Sequence, residues 1–300
     1  MVGRRPDGIG PMIDRSALAP MLDHGGRFAI LALDHRDSLR AEFDAAHPER
    51  VSIDDLVRFK LDVVDAFGAR PSAVMLDPET SIDQILVAGL LPAGVGSLCA
   101  LEAQGYLGTA AVTNQLLDGW DPARAKAVGA SAAKLLVLYR PDRGAVTEAQ
   151  DRLVQTVIDG CAAVGLPVFV EPVPYDVTDV DDRERTVLMS AERLGGFGPD
   201  VLKMPFPSDH AHPERWESAC RRIGEVTDVP WAVLSWGAPF ETFLHQTEVA
   251  CAHGCSGFMA GRAIWGDSIH ADDRGAHLRT VAIPRFDALV AASAGANPIV

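Results

Sequence analysis

The chain has 300 residues, 48% of them apolar, and a formal charge of −14 at pH 7. That describes a globular protein long enough for two ordinary domains or one large barrel. The acidic balance argues against nucleic acid or an anionic membrane as partner, so an anion would have to be held in a local cationic pocket.

After a loose first dozen residues, a short helix is expected near residues 14–22. Residues 28–33 are a continuous apolar run, read as a buried strand closed by Asp34-His35-Arg36. Residues 52–67 form an amphipathic pattern, with Ser52 as N-cap, Asp54 and Asp55 in the first turn, and Leu56, Phe59, Val63 and Val64 on one face. A second strand, 73–76, runs into Asp77, a helix is expected over 81–88, and a weaker third strand over 96–101 ends at Glu102. Residues 106–119 read as a long loop carrying part of a pocket. A short helix over 122–128 precedes the fourth strand, 132–140, which contains Lys134 and ends at Arg140. Residues 147–164 are the strongest helix, with Thr147 as cap. The fifth strand is 168–172, the sixth is the run around Lys203, the seventh is 231–237 and the eighth is 257–262. Helices over 181–194, 213–226, 240–252 and 272–292 fill the intervals.

Eight apolar runs alternating with helical patterns, with no flexible linker, predict one domain over 1–300: an α/β protein, a single (β/α)8 TIM barrel. A doubly wound open sheet is the alternative, but the Gly-rich turn expected after its first strand is replaced by Asp34-His35-Arg36. Five cysteines without a CxxC pair fall mostly in apolar segments. With no signal-like or membrane-spanning run, a reducing cytoplasm is the expected location. Acidic helices bearing Trp216 and Phe243, expected to be exposed, offer a surface for a homo-oligomer.

Barrel enzymes collect their chemistry at the C-terminal ends of the strands. Asp34, Asp77, Glu171, Lys203, Ser235 and Arg262 close six of the runs, and Lys134 lies inside the fourth. Strand alternation turns Lys203 and Val201 to the same side, Leu202 and Met204 to the other, and pairs Phe169 with Glu171 and Met75 with Asp77. Lysine occurs only at 60, 126, 134 and 203, so one within an apolar strand stands out. A partly desolvated lysine near another cation has a lowered pKa and can attack a carbonyl to form a Schiff base. Lys203 is the candidate nucleophile, Glu171 or Asp34 the base, and Lys134 the second cation or proton shuttle. Ser235, Gly237, Gly261 and Arg262 would hold a phosphate, with Arg36 and Arg140 left for a second anion. A structural pairing is the alternative for each of these residues.

The segments 31–36, 134–140, 170–172, 200–203, 230–235 and 257–263 resemble the class I aldolases that cleave tagatose 1,6-bisphosphate and, in a related branch, 6-deoxy-6-sulfofructose 1-phosphate. The resemblance to the sulfosugar branch looks closer around 138–140 and 171–173. It implies Lys203 as the Schiff-base lysine, Lys134 as the second active-site lysine, Glu171 as the proton-transfer acid, and Asp34 near the substrate hydroxyls. It further implies a C1-phosphate site at Ser235, Gly237, Gly261 and Arg262. A sugar phosphate would be cleaved to dihydroxyacetone phosphate and a three-carbon aldehyde, without metal or organic cofactor. His35 replaces the family's usual glutamine with a titratable group, Trp236 stands where relatives have a small residue, and the loop after Lys203 is shortened. Two other functions fit the same residues: a metal-assisted lyase with Asp34, Asp77, Glu102 and Glu171 as ligands, or a sugar-phosphate-binding barrel without catalysis.

Overall fold

The computed structural model describes residues 15–104 and 113–299, so the loose first dozen residues and positions 106–112 of the expected pocket loop lie outside the described residues. Eight strands, β1 (Phe28–Ala32), β2 (Ala73–Leu76), β3 (Gly96–Ala100), β4 (Ala132–Leu138), β5 (Val168–Val173), β6 (Val201–Pro205), β7 (Trp231–Leu234) and β8 (Gly257–Ala260), pair in parallel in chain order. β8 closes on β1, with Phe28 opposite Gly257. The fold is the expected (β/α)8 barrel.

The helices are α1 (Asp37–Phe43), α2 (Ile53–Phe67), α3 (Pro122–Ala127), α4 (Ala145–Val164), α5 (Val180–Gly195), α6 (Trp216–Val226), α7 (Phe240–Ala252), α8 (Arg262–Trp265), α9 (Arg274–His277) and α10 (Ile283–Ala292). α2 starts as read: Ser52 and Asp55 form a reciprocal capping box. α1 falls where no helix was expected, because only Leu39 of its seven residues is buried and no period is visible. α4 starts two residues before Thr147, which sits inside it and donates its hydroxyl to Arg140 O at 2.6 Å. The expected helix over 81–88 is a π-helical stretch, Ile82–Val87, and the last helix is α9 and α10 joined through another, Leu278–Ala282. β7 stops at Leu234, short of the expected 237, because Trp236 and Gly237 take positive φ of 45° and 77°.

Alternation divides the core into two layers. Phe28, Ile30, Met75, Ala132, Phe169, Val201 and Met259 fill the barrel interior, whereas Val170, Leu202 and Met204 face the helices. Phe28 and Phe169 meet edge to face at 5.5 Å across the interior. Leu18 and Met21, from the 3₁₀ segment Arg15–Met21, and Ile299 join this inner cluster. Gly257 is required at the β8 start: at φ 131° a Cβ would stand 2.1 Å from Phe28 O. The interior is therefore solid below the level of Lys134 and Lys203, and polar groups collect above it.

Two expectations are corrected by the packing. Asp77 does not join the polar cluster; just past β2 it turns to the fully buried Lys60 of α2 and accepts from Thr80 N at 2.9 Å and Ser81 Oγ at 2.8 Å. Alternation ends with the strand, and a buried lysine needs a counter-ion. Trp216 and Phe243 are 4% and 0% exposed, so they belong to the helix–barrel core and supply no subunit surface. All five cysteines are free and buried. Among the described residues no helix is long and apolar enough to cross a membrane.

Burial lowers the pKa of Lys60 while Asp77 opposes the shift, which marks a pair whose partners depend on one another. Lys60→Met should therefore lower the unfolding free energy by about 3–5 kcal/mol in urea titrations, and Lys60→Met/Asp77→Asn should recover part of the loss.

Candidate active site

The C-terminal ends of the strands bring five buried charged groups together above the apolar interior. Lys203, at the third position of β6, shares the inward parity of Val201 and directs Nζ to Glu171 Oε2 at 2.9 Å and Met75 Sδ at 3.5 Å. Lys134, two residues beyond inward-facing Ala132 on β4, lies 3.0 Å from the same Glu171 oxygen, 2.8 Å from Asp34 Oδ2 and 2.6 Å from Glu102 Oε1. Both lysines and all three carboxylates are at most 8% exposed. One carboxylate oxygen thus lies within 3.0 Å of two ammonium groups.

Burial alone would raise the Asp34 carboxyl, but Lys134, then Lys203, hold it well below the usual carboxylate range. His35 goes the other way. Its pKa falls to about 3, first through burial and then through Arg262 and Lys203, with only Asp34 opposing, so the ring is neutral at pH 7. The titratable group expected beside the substrate is therefore a neutral imidazole. Its ring meets Trp265 edge to face at 5.3 Å, and Trp265 Nε1 donates to Ala32 O at 3.1 Å, which fixes the end of β1.

The cavity over this cluster is lined by Asp34, His35, Lys134, Glu171, Lys203, Ser235, Gly261 and Arg262 among others. Gly261 sits where the backbone must pass closely: a Cβ would be 2.5 Å from Ala32 O and 2.8 Å from His35 Cε1. Arg262 opens α8 and reaches Glu42 at 3.2 Å, with its side chain 29% exposed. Gly237 lines a neighbouring cavity instead, although a Cβ there would lie 3.8 Å from Arg262 Nη2.

Arg36, Arg140 and Asp77 do not line this cavity. Arg36 is 3% exposed and donates to Glu79 Oε2 at 2.5 Å and Glu102 O at 2.7 Å, which ties the end of β1 to the loops after β2 and β3. Arg140 makes a two-pronged pair with Asp182, both contacts at 2.8 Å, and also donates to the carbonyls of Tyr175 and Asp176. That fork fits a carboxylate and joins the end of β4 to the start of α5. Neither guanidinium is turned to an anion in the cavity. Glu102, absent from the expected catalytic set, bonds Lys134 and also accepts from Leu136 N at 3.1 Å. Its signal was its place at the end of the third strand. Ser38 and Gln104 line the mouth without any pattern in the sequence to mark them.

The His35 shift sets a pH dependence. A histidine with a folded pKa near 3 and an ordinary value of 6.5 gives stability that is complete above 6.5 and lost as pH falls toward 3, because only the unfolded chain binds the proton there. In urea titrations at pH 7, 6 and 5, wild type should lose up to about 1.4 kcal/mol per pH unit more than His35→Gln below the ordinary histidine pKa. Equal slopes would show that His35 protonates normally in the folded protein.

The DeoC/LacD family aldolase model matches residues 28–267, which span all eight strands. A tagatose 1,6-diphosphate aldolase of Listeria monocytogenes is 30% identical over 270 residues, covering 81% of this chain and 79% of the relative. One from Streptococcus agalactiae is 28% identical over 301 residues, covering 89% and 91%. Among solved structures, an archaeal fructose-1,6-bisphosphate aldolase with its catalytic lysine bound to a carbinolamine intermediate has a TM-score of 0.62 at 16% identity, covering 90% of this chain and 98% of that one. A Corynebacterium glutamicum protein reaches a TM-score of 0.68 at 17% identity, covering 94% and 93%. The structural likenesses show the barrel, the family match reaches from its first strand past its last, and the chain belongs to the DeoC/LacD family of aldolases.

Proposed function

We propose that this aldolase works through a Schiff base on Lys203 and cleaves a ketose 1-phosphate to dihydroxyacetone phosphate and a three-carbon aldehyde. The observation that carries the reading is the shared oxygen: Glu171 Oε2 lies 2.9 Å from Lys203 Nζ and 3.0 Å from Lys134 Nζ. A carboxylate so placed can take a proton from Lys203, leaving a neutral amine to attack the C2 ketone. It can then return the proton to the carbinolamine oxygen, which leaves as water and yields the iminium. With the iminium as electron sink, a base removes the C4 hydroxyl proton, the C3–C4 bond breaks, and its electrons form an enamine. In this scheme Asp34, held ionised by Lys134, takes the C4 proton; protonation at C3 and addition of water then release the ketone and free Lys203.

Ser235, the Gly261 backbone and Arg262, at the ends of β7 and β8, form the side of the cavity proposed for the C1 phosphate. At the mouth, Leu136 and Val173 lie two residues beyond Lys134 and Glu171, with Ser38 and Gln104 beside them, and all four are uncharged. The distal end of the sugar thus meets neither Arg36 nor Arg140. Tagatose 1,6-diphosphate, named for the relatives, and the sulfosugar phosphate suggested by the sequence remain the substrates to try first. The ammonium of Lys134 occupies the place among Asp34, Glu102 and Glu171 that metal-assisted chemistry would give a divalent ion.

Release of dihydroxyacetone phosphate from these ketose phosphates, in the presence of a chelator, tests the reading. Wild type should stay active, Lys203→Met should be inactive, and Glu171→Gln should lower kcat by about 10²–10⁴-fold. Activity in Lys203→Met, or its loss on chelation, would contradict the scheme.

A further inference from the structure

Across Ser235 and Trp236 from the catalytic cavity lies a second one of about 330 Å³, between the loops that follow β6 and β7. Arg183, in the first turn of α5, reaches it with its guanidinium 4.4 Å over the Trp236 ring. Nε and Nη2 donate to Phe206 O at 3.1 and 2.8 Å, which leaves Nη1 for another acceptor. Among the described residues no carboxylate comes within 4.0 Å of this guanidinium. Asp209, in the same cavity, is engaged by His212 Nδ1 at 2.7 Å and Ala211 N at 3.0 Å. Burial lowers the Arg183 pKa to about 10 against the opposing charge of Asp209, so the group is still a cation at pH 7, poorly solvated and, among the described residues, with no carboxylate in contact.

Two further features face the same space. Gln246 is only 5% exposed, lines the cavity, and among the described residues its amide has no hydrogen-bond partner. Its amide is open to the cavity and free to bond a ligand there. The 13-residue helix α7 begins at this cavity behind Pro239 with no side-chain cap, so its first N–H groups and its positive dipole end are open toward Ala238 and Thr242.

We propose that this second cavity binds a phosphoryl-type oxyanion, held by Arg183 Nη1, the Gln246 amide and the N-terminus of α7. The anion would supply the contacting counter-charge that Arg183 lacks. Trp236 holds a positive φ that a non-glycine residue adopts only at a conformational cost, and it forms the partition between the two cavities. An anion that orders the Trp236-Gly237 turn therefore also orders Ser235 on the catalytic side, and makes the second site a modulator of substrate binding.

Calorimetric titration of inorganic phosphate at low ionic strength tests this, using Arg262→Gln protein so that the phosphate contact in the catalytic cavity is weakened. One saturable site is expected, weakened at least about tenfold by adding Arg183→Met and measurably by adding Gln246→Leu. The Gln246 variant keeps the test open if loss of the Phe206 contact unfolds the Arg183 variant. Tighter binding of glycerol 1-phosphate than of inorganic phosphate would assign the site to a phosphate ester, and the reverse order to the free anion; both support it. No saturable site in Arg262→Gln protein, or equal affinity after Gln246→Leu, would overturn it. Neither result bears on Schiff-base chemistry at Lys203.

Discussion

Two ammonium groups compete for one carboxylate oxygen at the top of a closed apolar barrel, and the remainder of the site is arranged around that constraint. An ammonium removed from water loses several kcal/mol of solvation, about what a well-placed carboxylate can return. Lys134 meets this with three carboxylates, Asp34, Glu102 and Glu171, from three different strand ends. Lys203 has Glu171 and a thioether, Met75. The less compensated lysine is the one proposed to give up its proton. The geometry therefore distinguishes the two lysines, which the sequence alone ranked by position in an apolar run.

The cluster holds its shape because its neighbours are tied down by other buried charges. Arg36 links β1 to the loops after β2 and β3 through Glu79 and the Glu102 carbonyl, and Lys60 anchors the start of the same loop through Asp77. Arg140 and Asp182 do the same between β4 and α5. These groups have the residue types of an active site and the positions of one, at strand ends. Their function differs because they face the helix layer or the loops.

That difference explains what could be read in advance. The barrel was legible because each strand is a short apolar run and each helix has its own period, and within strands alternation paired Lys203 with Val201 and Glu171 with Phe169, which line the inner face. Past the last paired residue the period no longer constrains direction. Asp77 and Arg140 lie in that zone, and so does Arg36; for these three the outcome was set by long-range partners such as Lys60 and Asp182. Glu102 was legible by the strand-end rule applied to β3. Arg183 and Gln246 were not, since a helix pattern shows which face is buried but not whether a buried polar group finds a partner there.

The most direct measurement is borohydride reduction in the presence of dihydroxyacetone phosphate, followed by mass mapping of the modified peptide. The account predicts a single stable adduct on Lys203, formed equally well with a chelator present. An adduct on Lys134 would exchange the roles assigned to the two lysines. No adduct at all, with the phosphate shown to bind, would contradict covalent amine catalysis at this site.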